Sequence, residues 1–276
     1  MKQIIVPTDF SASATSAMNY AVEMAKHIGA SIHLYHVYQV PVAVSDVPVV
    51  IVSVEELKKN AVEQLNYLKK GLEHVNADNP VTITTETVMG NTVDELEELC
   101  KRTKPFMVVM GSRGSTGMER ILFGSTTLTA IKHLTCPVTV VPPGSSFKGI
   151  KKIGFACDFK KVVETTPTQY IKQMMKEFGA TLHVLNVDYE NKQFRPEVPE
   201  ESLFLHTLLG DLDPQYHFIQ NRDIEDGINK FAEENNLDLL ITIPKKHTLL
   251  EALFRKSSTR QLVFESHVPV MCIHEK

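Results

Sequence analysis

Residues 110–127 read MGSRGSTGMERILFGSTT, and three glycines in this stretch, Gly111, Gly114 and Gly124, fall in the spacing G-x2-G-x9-G with Ser125 next. The apolar run from Phe106 to Met110 leads into Gly111, and a helical pattern carrying Leu128, Ile131 and Leu134 begins just after Ser125. The segment therefore predicts a strand, a glycine loop and a helix. Such a junction leaves backbone N–H groups uncovered at a helix N-terminus, where unpaired donors and partial positive charge favour an anion such as phosphate. Glycine allows close backbone approach and positive φ. A plain surface turn needs the same residue types, and it is the flanking strand and helix that tip the reading toward phosphate. Neither G-x-G-x-x-G nor G-x-x-x-x-G-K-[ST] is present, so any nucleotide site here is of another kind.

The chain has 276 residues, room for one large domain or two ordinary ones, and 43% hydrophobic content is enough for a core in either case. A formal net charge of -4 argues against holding nucleic acid mainly through phosphate contacts. Cys100, Cys136, Cys157 and Cys272 stand far apart without a C-x-x-C pair, which predicts buried thiols in a reducing compartment rather than a zinc site or a disulfide framework. Asp9 lies within the first ten residues, no signal-peptide apolar core is present, and the most apolar stretch, 41–54, is broken by Ser45, Asp46 and Pro48. The expectation is a cytoplasmic protein with no membrane partner.

Working outward, 2–7 is a β-branched run ending in PTDFS, followed by Ala14, Ala17, Met18, Ala21, Ala25 and Ile28 at helical spacing, with Gly29 as the stop. Residues 31–38 (SIHLYHVY) predict a second strand, on which His33 and His36 read as packing or surface residues. Ser53 and Glu56 open a long helix with the stripe Leu57, Ala61, Leu65, Leu68, Leu72 and Val75. A third strand is expected over 81–88, a helix capped by Thr92 and Glu95, a fourth strand over 106–110 and a fifth over 137–141, with a PPGSS linker at 142–146. Beyond that linker the pattern returns. GASIHLYHV at Gly29 is echoed by GATLHVLNV at Gly179, IIVPTDF at Ile4 by IGFACDF at Ile153, and CPVTVV at Cys136 by VPVMCI at Val268. Three echoes in one order predict a duplicated α/β domain, with copies at 1–143 and 149–276 and parallel sheets joined by right-handed crossovers. Residues 188–201 are polar and proline-bearing, and a weaker helix is expected over 203–209.

With PTDFS after strand one, the glycine motif after strand four and PVTVV as strand five, the chain resembles the universal stress protein family, and in particular its tandem members. The resemblance implies two open, Rossmann-like parallel five-stranded sheets in the order 3-2-1-4-5. In that order strands one and four are neighbours whose connections leave in opposite directions, so their C-terminal ends form the crevice where open α/β sheets bind ligands. It further implies ATP in that crevice, with magnesium only as part of MgATP. Pro7, Thr8 and Asp9 would lie beside the nucleoside and Val37 at the adenine edge. Met110, Gly111, Arg113 and Gly114 would follow the sugar and phosphates, and Gly124, Ser125 and Thr126 would close on them. Fifth strands of the family commonly pair across a twofold axis, which here implies an intrachain pseudo-dimer of the two domains; association into a homodimer is left open.

The second copy departs from the pattern. Its equivalent stretch, 244–258 (PKKHTLLEALFRKSS), contains no glycine, and Pro244 is expected in place of the first one. Asp158 stands where Asp9 does, but the cradle is gone, so this copy is predicted not to hold ATP in the family manner. Lys245, Lys246, His247, Arg255 and Lys256 make this loop basic, and it reads as a solvated loop, with a different anionic ligand or a partner's acidic surface as the alternative. Neither a Walker lysine nor paired carboxylates supply an obvious base, which favours an ATP-binding stress-response switch acting through a protein partner. A weak ATPase or self-phosphorylating phosphotransferase and a nucleotide-independent adaptor are the other readings.

Overall fold

The computed structural model describes residues 2–40, 53–112, 124–188, 198–244, 262–263 and 265–275. The chain divides into two compact units, Met1–Cys136 and Pro137–Lys276. In the first unit strands β1 (Gln3–Pro7), β2 (Ser31–Tyr38), β3 (Ile83–Met89) and β4 (Met107–Gly111) alternate with helices α1 (Ala12–Ile28), α2 (Val54–Val75), α3 (Thr92–Thr103) and α4 (Ser125–His133). The strand order is β3-β2-β1-β4, and the pairings described, β1 with β2 and β4 and β2 with β3, are all parallel. This places β1 inside the sheet, where Ile4, Ile5 and Val6 are fully buried, and all five residues of β4 are buried as well. Strands covered on both faces read as unbroken apolar runs, which is why these two segments were legible as strands.

Helix α1 packs close to the sheet through a stripe of small side chains, Ala14, Ala17, Ala21 and Ala25, all buried. Ser11 starts it by accepting the Ala14 N–H at 3.2 Å, and Gly29 ends it in the left-handed conformation at φ 63°. Helix α3 begins differently from the expectation. Asn91, not Thr92, is the cap: its side-chain oxygen accepts from the N–H groups of Val93 at 2.9 Å and Asp94 at 3.4 Å, and Thr92 is already helical. A planar amide one residue earlier reaches both orphan donors, and asparagine is among the strongest residues at this position.

The second unit contains β5 (Val138–Val141), β6 (Lys152–Ala156), the short α5 (Val162–Thr165), α6 (Thr168–Phe178), β7 (Thr181–Asp188), α7 (Val198–Leu209), β8 (Gln215–Gln220), α8 (Ile224–Glu234), β9 (Leu239–Thr242) and β10 (Val270–Cys272). Its order β8-β7-β6-β9-β10 repeats the 3-2-1-4 order of the first unit and adds a fifth strand, and β5 adds antiparallel to β10 with Val140 opposite Val270. That pairing covers an edge that would otherwise expose unpaired backbone groups. Where α1 runs unbroken, this copy has α5 and α6 separated at Thr166 and Pro167, since proline has no N–H for a continuous ladder. Among the described residues no helix is long and apolar enough to cross a membrane.

Between β7 and β8, His183 Nδ1 and His217 Nε2 lie 3.0 Å apart, and the His217 ring also meets Phe231 of α8 at 4.6 Å. One ring must donate and the other accept, so the bond requires at least one neutral imidazole. Burial holds both rings below the ordinary histidine value of 6.5, with His217 and Lys152 pushing His183 further down.

Two outcomes follow from this architecture. Asn91→Ala should lower unfolding stability by about 1 kcal/mol in a urea titration, while an unshifted midpoint would return the cap to Thr92. Because the histidine pair binds protons less readily folded than unfolded, stability should be level above the ordinary value of 6.5 and fall as pH drops through the lower folded values. Denaturant titrations at about pH 7.5 and about pH 5.5 should show that fall in the wild type, and a smaller one in His217→Gln.

Candidate functional site

Strands β1 and β4 run parallel with Ile4 opposite Met107 and Ile5 opposite Val108, so their C-terminal ends, Pro7 and Gly111, open on the same edge of the sheet. Beyond β1 the chain turns sharply. The Thr8 N–H donates to the Tyr35 carbonyl at 2.9 Å, extending the ladder by one residue. Thr8 Oγ1 then accepts from the Phe10 N–H at 3.1 Å, and Asp9 Oδ1 accepts from the Ser11 N–H at 3.1 Å. These side-chain bonds hold Phe10 at φ 63°, a conformation unusual for a bulky residue. Asp9 is left exposed at the apex of the turn.

A residue that the sequence reading set aside completes this turn. His36 Nδ1 lies 2.7 Å from the Thr8 carbonyl oxygen, and its ring stands 4.5 Å from that of Phe10. A carbonyl only accepts, so Nδ1 carries the proton. The alternation SIHLYHVY placed His36 on a strand; its partner, 28 residues away, had no signal in the sequence. Val37 follows it, half-buried and opposite Val88 of β3.

On the other side of the crevice, Thr127 Oγ1 donates to the Gly111 carbonyl at 3.0 Å and the Gly124 N–H reaches the Ser112 carbonyl at 3.4 Å, tying the start of α4 to the end of β4. Gly124 caps α4 without any side-chain hydrogen bond, and Ser125 and Thr126 beside it are exposed. The first turn of α4 thus offers backbone donors and two hydroxyls at an N-terminus that no side chain of the described residues caps. Met110 is buried in the sheet. Arg113 and Gly114 lie outside the described residues.

Gly111 is needed for a reason other than the one the spacing suggested. Gly124 has φ -58°, open to any residue, and Gly111 is not among the positive-φ positions. A Cβ on Gly111 would stand 2.8 Å from the Ser13 carbonyl oxygen and collide with the Ser13 side chain. Backbone cannot yield as a flexible side chain can, so Gly111 is what lets the first turn of α1 pack against the end of β4.

The second copy repeats the turn and alters its surroundings. Phe159 sits at φ 48°, Asp158 Oδ1 accepts from the Lys160 N–H at 3.2 Å, and the Cys157 N–H donates to Leu185 at 2.9 Å. Asn186, in the place of His36, donates its amide to the Cys157 carbonyl at 2.8 Å. Glu201 of α7 then accepts from the N–H groups of Lys161 at 3.1 Å and Val162 at 2.9 Å, one with each oxygen, so a carboxylate of the chain itself covers the helix start. The register also corrects an alignment. Ile153 faces Leu239 as Ile4 faces Met107, and four residues further on Ile243, not Pro244, stands where Gly111 does. Most of the basic stretch expected at 244–258 lies outside the described residues. Among those described, no group of His, Cys, Asp and Glu side chains is arranged to hold a metal ion.

The model of the Universal stress protein family matches residues 1–142 and again 149–274. A universal stress protein of Methanocaldococcus jannaschii is 35% identical over 143 residues, covering 51% of this chain and 81% of its own length. A second from the same organism is 28% identical over 152 residues, covering 51% of this chain and 94% of its own. Among solved structures, a universal stress protein from Archaeoglobus fulgidus superposes over 99% of this chain and 98% of its own with a TM-score of 0.75 at 17% identity, a likeness of fold.

Gly111→Ala should destabilise the protein by about 1–3 kcal/mol with no ligand present, because the added methyl meets backbone. Equilibrium unfolding checks this; full stability would mean that α1 can retreat.

Proposed function

The chain belongs to the universal stress protein family, and from that premise we propose that it is a regulatory ATP-binding protein whose 1–143 copy carries the nucleotide while the 149–276 copy does not. The observation that carries this reading is the start of α4, capped by no side chain among the described residues and with Ser125 and Thr126 exposed beside it, on the sheet edge that also holds the Asp9 turn. The residues present fit a triphosphate: an anion there would be met by backbone N–H groups, two hydroxyls and the positive end of a helix. ATP, entering as MgATP, supplies the anionic groups and an apolar adenine.

In this reading Asp9 accepts from the ribose hydroxyls, with Pro7 and Thr8 setting its position and His36 holding the turn from below. Val37 offers the half-buried apolar contact at the adenine edge. Met110 and Gly111 carry the chain past the sugar, and Arg113, Gly114, Gly124, Ser125 and Thr126 surround the phosphates. No single contact suffices. A typical hydrogen bond contributes ~0.5–1.5 kcal/mol, whereas micromolar affinity needs ~8 kcal/mol. Backbone donors, hydroxyls and adenine burial must act together, and a crevice whose contacts change with ATP occupancy gives a protein partner something to read.

Two features of the second copy support its silence. The Glu201 carboxylate sits on backbone donors at the start of α5, the counterpart of the α1 start beside Asp9, so an anion entering that side of the crevice would be repelled. Ile243 puts a side chain where Gly111 has none. The sequence carries neither a Walker lysine nor paired carboxylates close to the motif, which favours retention of ATP over rapid turnover.

Equilibrium dialysis with labelled ATP should find one nucleotide per chain. Asp9→Asn keeps an acceptor for the Ser11 N–H while removing the charge, and should weaken binding by roughly 3- to 30-fold, with Asp158→Asn unchanged. Two ATP per chain, or equal effects of the two substitutions, would sink the reading. Steady release of phosphate in the same assay would favour an ATPase instead.

A further inference from the structure

Two of the four cysteines, 36 positions apart in sequence, meet in the fold: Cys100 Sγ and Cys136 Sγ are 3.1 Å apart, both side chains buried and both free thiols. Cys100 lies on α3, and Cys136 lies in the turn that follows α4, immediately before β5. Between them run β4, the glycine stretch and α4, so the pair joins the two ends of the segment that forms one wall of the crevice. From this contact we propose that Cys100 and Cys136 are a reversible redox modification site, closing to a disulfide that clips the base of the β4-to-α4 segment.

The geometry suits the reaction. The sulfurs need to approach by only about 1 Å to reach a bonding distance of about 2.05 Å. When one proton leaves, the remaining S–H donates to the thiolate, and this contact holds Cys136 below the ordinary thiol range while Cys100 is pushed up. Either sulfur of a touching pair can attack first; Cys136, at 7% exposed against 4% for Cys100, takes that role here. Such burial selects a small oxidant, and a hydroperoxide fits. The Cys136 thiolate attacks a peroxide oxygen, breaking the O–O bond to form a sulfenic acid and, after protonation, one water or alcohol. Cys100 then loses its proton and attacks the Cys136 sulfur, forming the S–S bond and expelling hydroxide, which leaves as water. The two thiols are oxidised by two electrons and the peroxide is reduced by two. A dithiol reverses the change by thiol–disulfide exchange.

Cys157 and Cys272 provide the controls. Cys157 is half-exposed and Cys272 is buried in β10, where burial pushes its thiol up. Trypsin separates all four cysteines, Cys100 in 71–101, Cys136 in 133–148, Cys157 in 153–160 and Cys272 in 261–276. The full-length chain treated with stoichiometric hydrogen peroxide, blocked with an alkylating agent and digested without reductant should yield 71–101 linked to 133–148, a species lost after dithiothreitol. Cys157→Ser should give the same linked pair and Cys136→Ser should not. The oxidised wild type should unfold at a Tm several degrees higher than the reduced form, as expected for a cross-link that constrains the unfolded chain. Recovery of 71–101 and 133–148 as separate alkylated or sulfinic peptides overturns the proposal, as does a link to Cys157 or Cys272. Linkage with an unchanged Tm overturns the clip. None of these readouts depends on ATP binding.

Discussion

The close approach of α1 to β4 is the constraint on which the first unit depends. The Ser13 carbonyl stands where a side chain at position 111 would begin, and the buried alanine stripe of α1 continues that intimacy along the sheet. With the helix seated so low, the Asp9 turn is drawn to the end of β4, and the start of α4 is tied back to the same point through Thr127 and Gly111. The crevice follows from packing geometry. It exists because neighbouring parallel strands send their connections to opposite sides, and because nothing larger than hydrogen fits where helix and strand meet.

The two copies show which parts of this arrangement are scaffold. Both hold a phenylalanine in the left-handed region after an aspartate whose oxygen accepts from the backbone two residues on. Both anchor the turn by a donor from the second strand, an imidazole in one and an amide in the other. Different side chains make the same bond because the acceptor carbonyl sits in the same place. What diverges lies at the helix starts: Ser11 caps an unbroken helix in the first copy, and Glu201 reaches from α7 to a helix broken at Pro167 in the second. A shared frame with different donors and anions at its mouth is how one fold carries one proposed nucleotide site in two domains.

Much of the architecture was legible because it is written in local patterns. The apolar runs of β1 and β4, the stop at Gly29 and the echoed GASIHLYHV and GATLHVLNV each report a period or a propensity that acts within a few residues. The misreadings have different causes. Asn91 displaced Thr92 as a cap because a side chain one position earlier reached both donors. Ile243 displaced Pro244 because strand register, not sequence spacing, decides equivalence. His36 and the Cys100–Cys136 contact went unread because their partners are distant in the chain.

By itself, then, the sequence determined that this chain is a duplicated α/β protein with a strand, glycine loop and helix in its first half and none in its second. Hydrophobic period, turn chemistry and repetition are carried by neighbouring residues. Only the tertiary structure decided why Gly111 is glycine, which side chain holds the Asp9 turn, what covers the helix start of the second copy and which thiols meet. Each of those depends on two segments brought together by the sheet, and a contact between distant residues leaves no period to read.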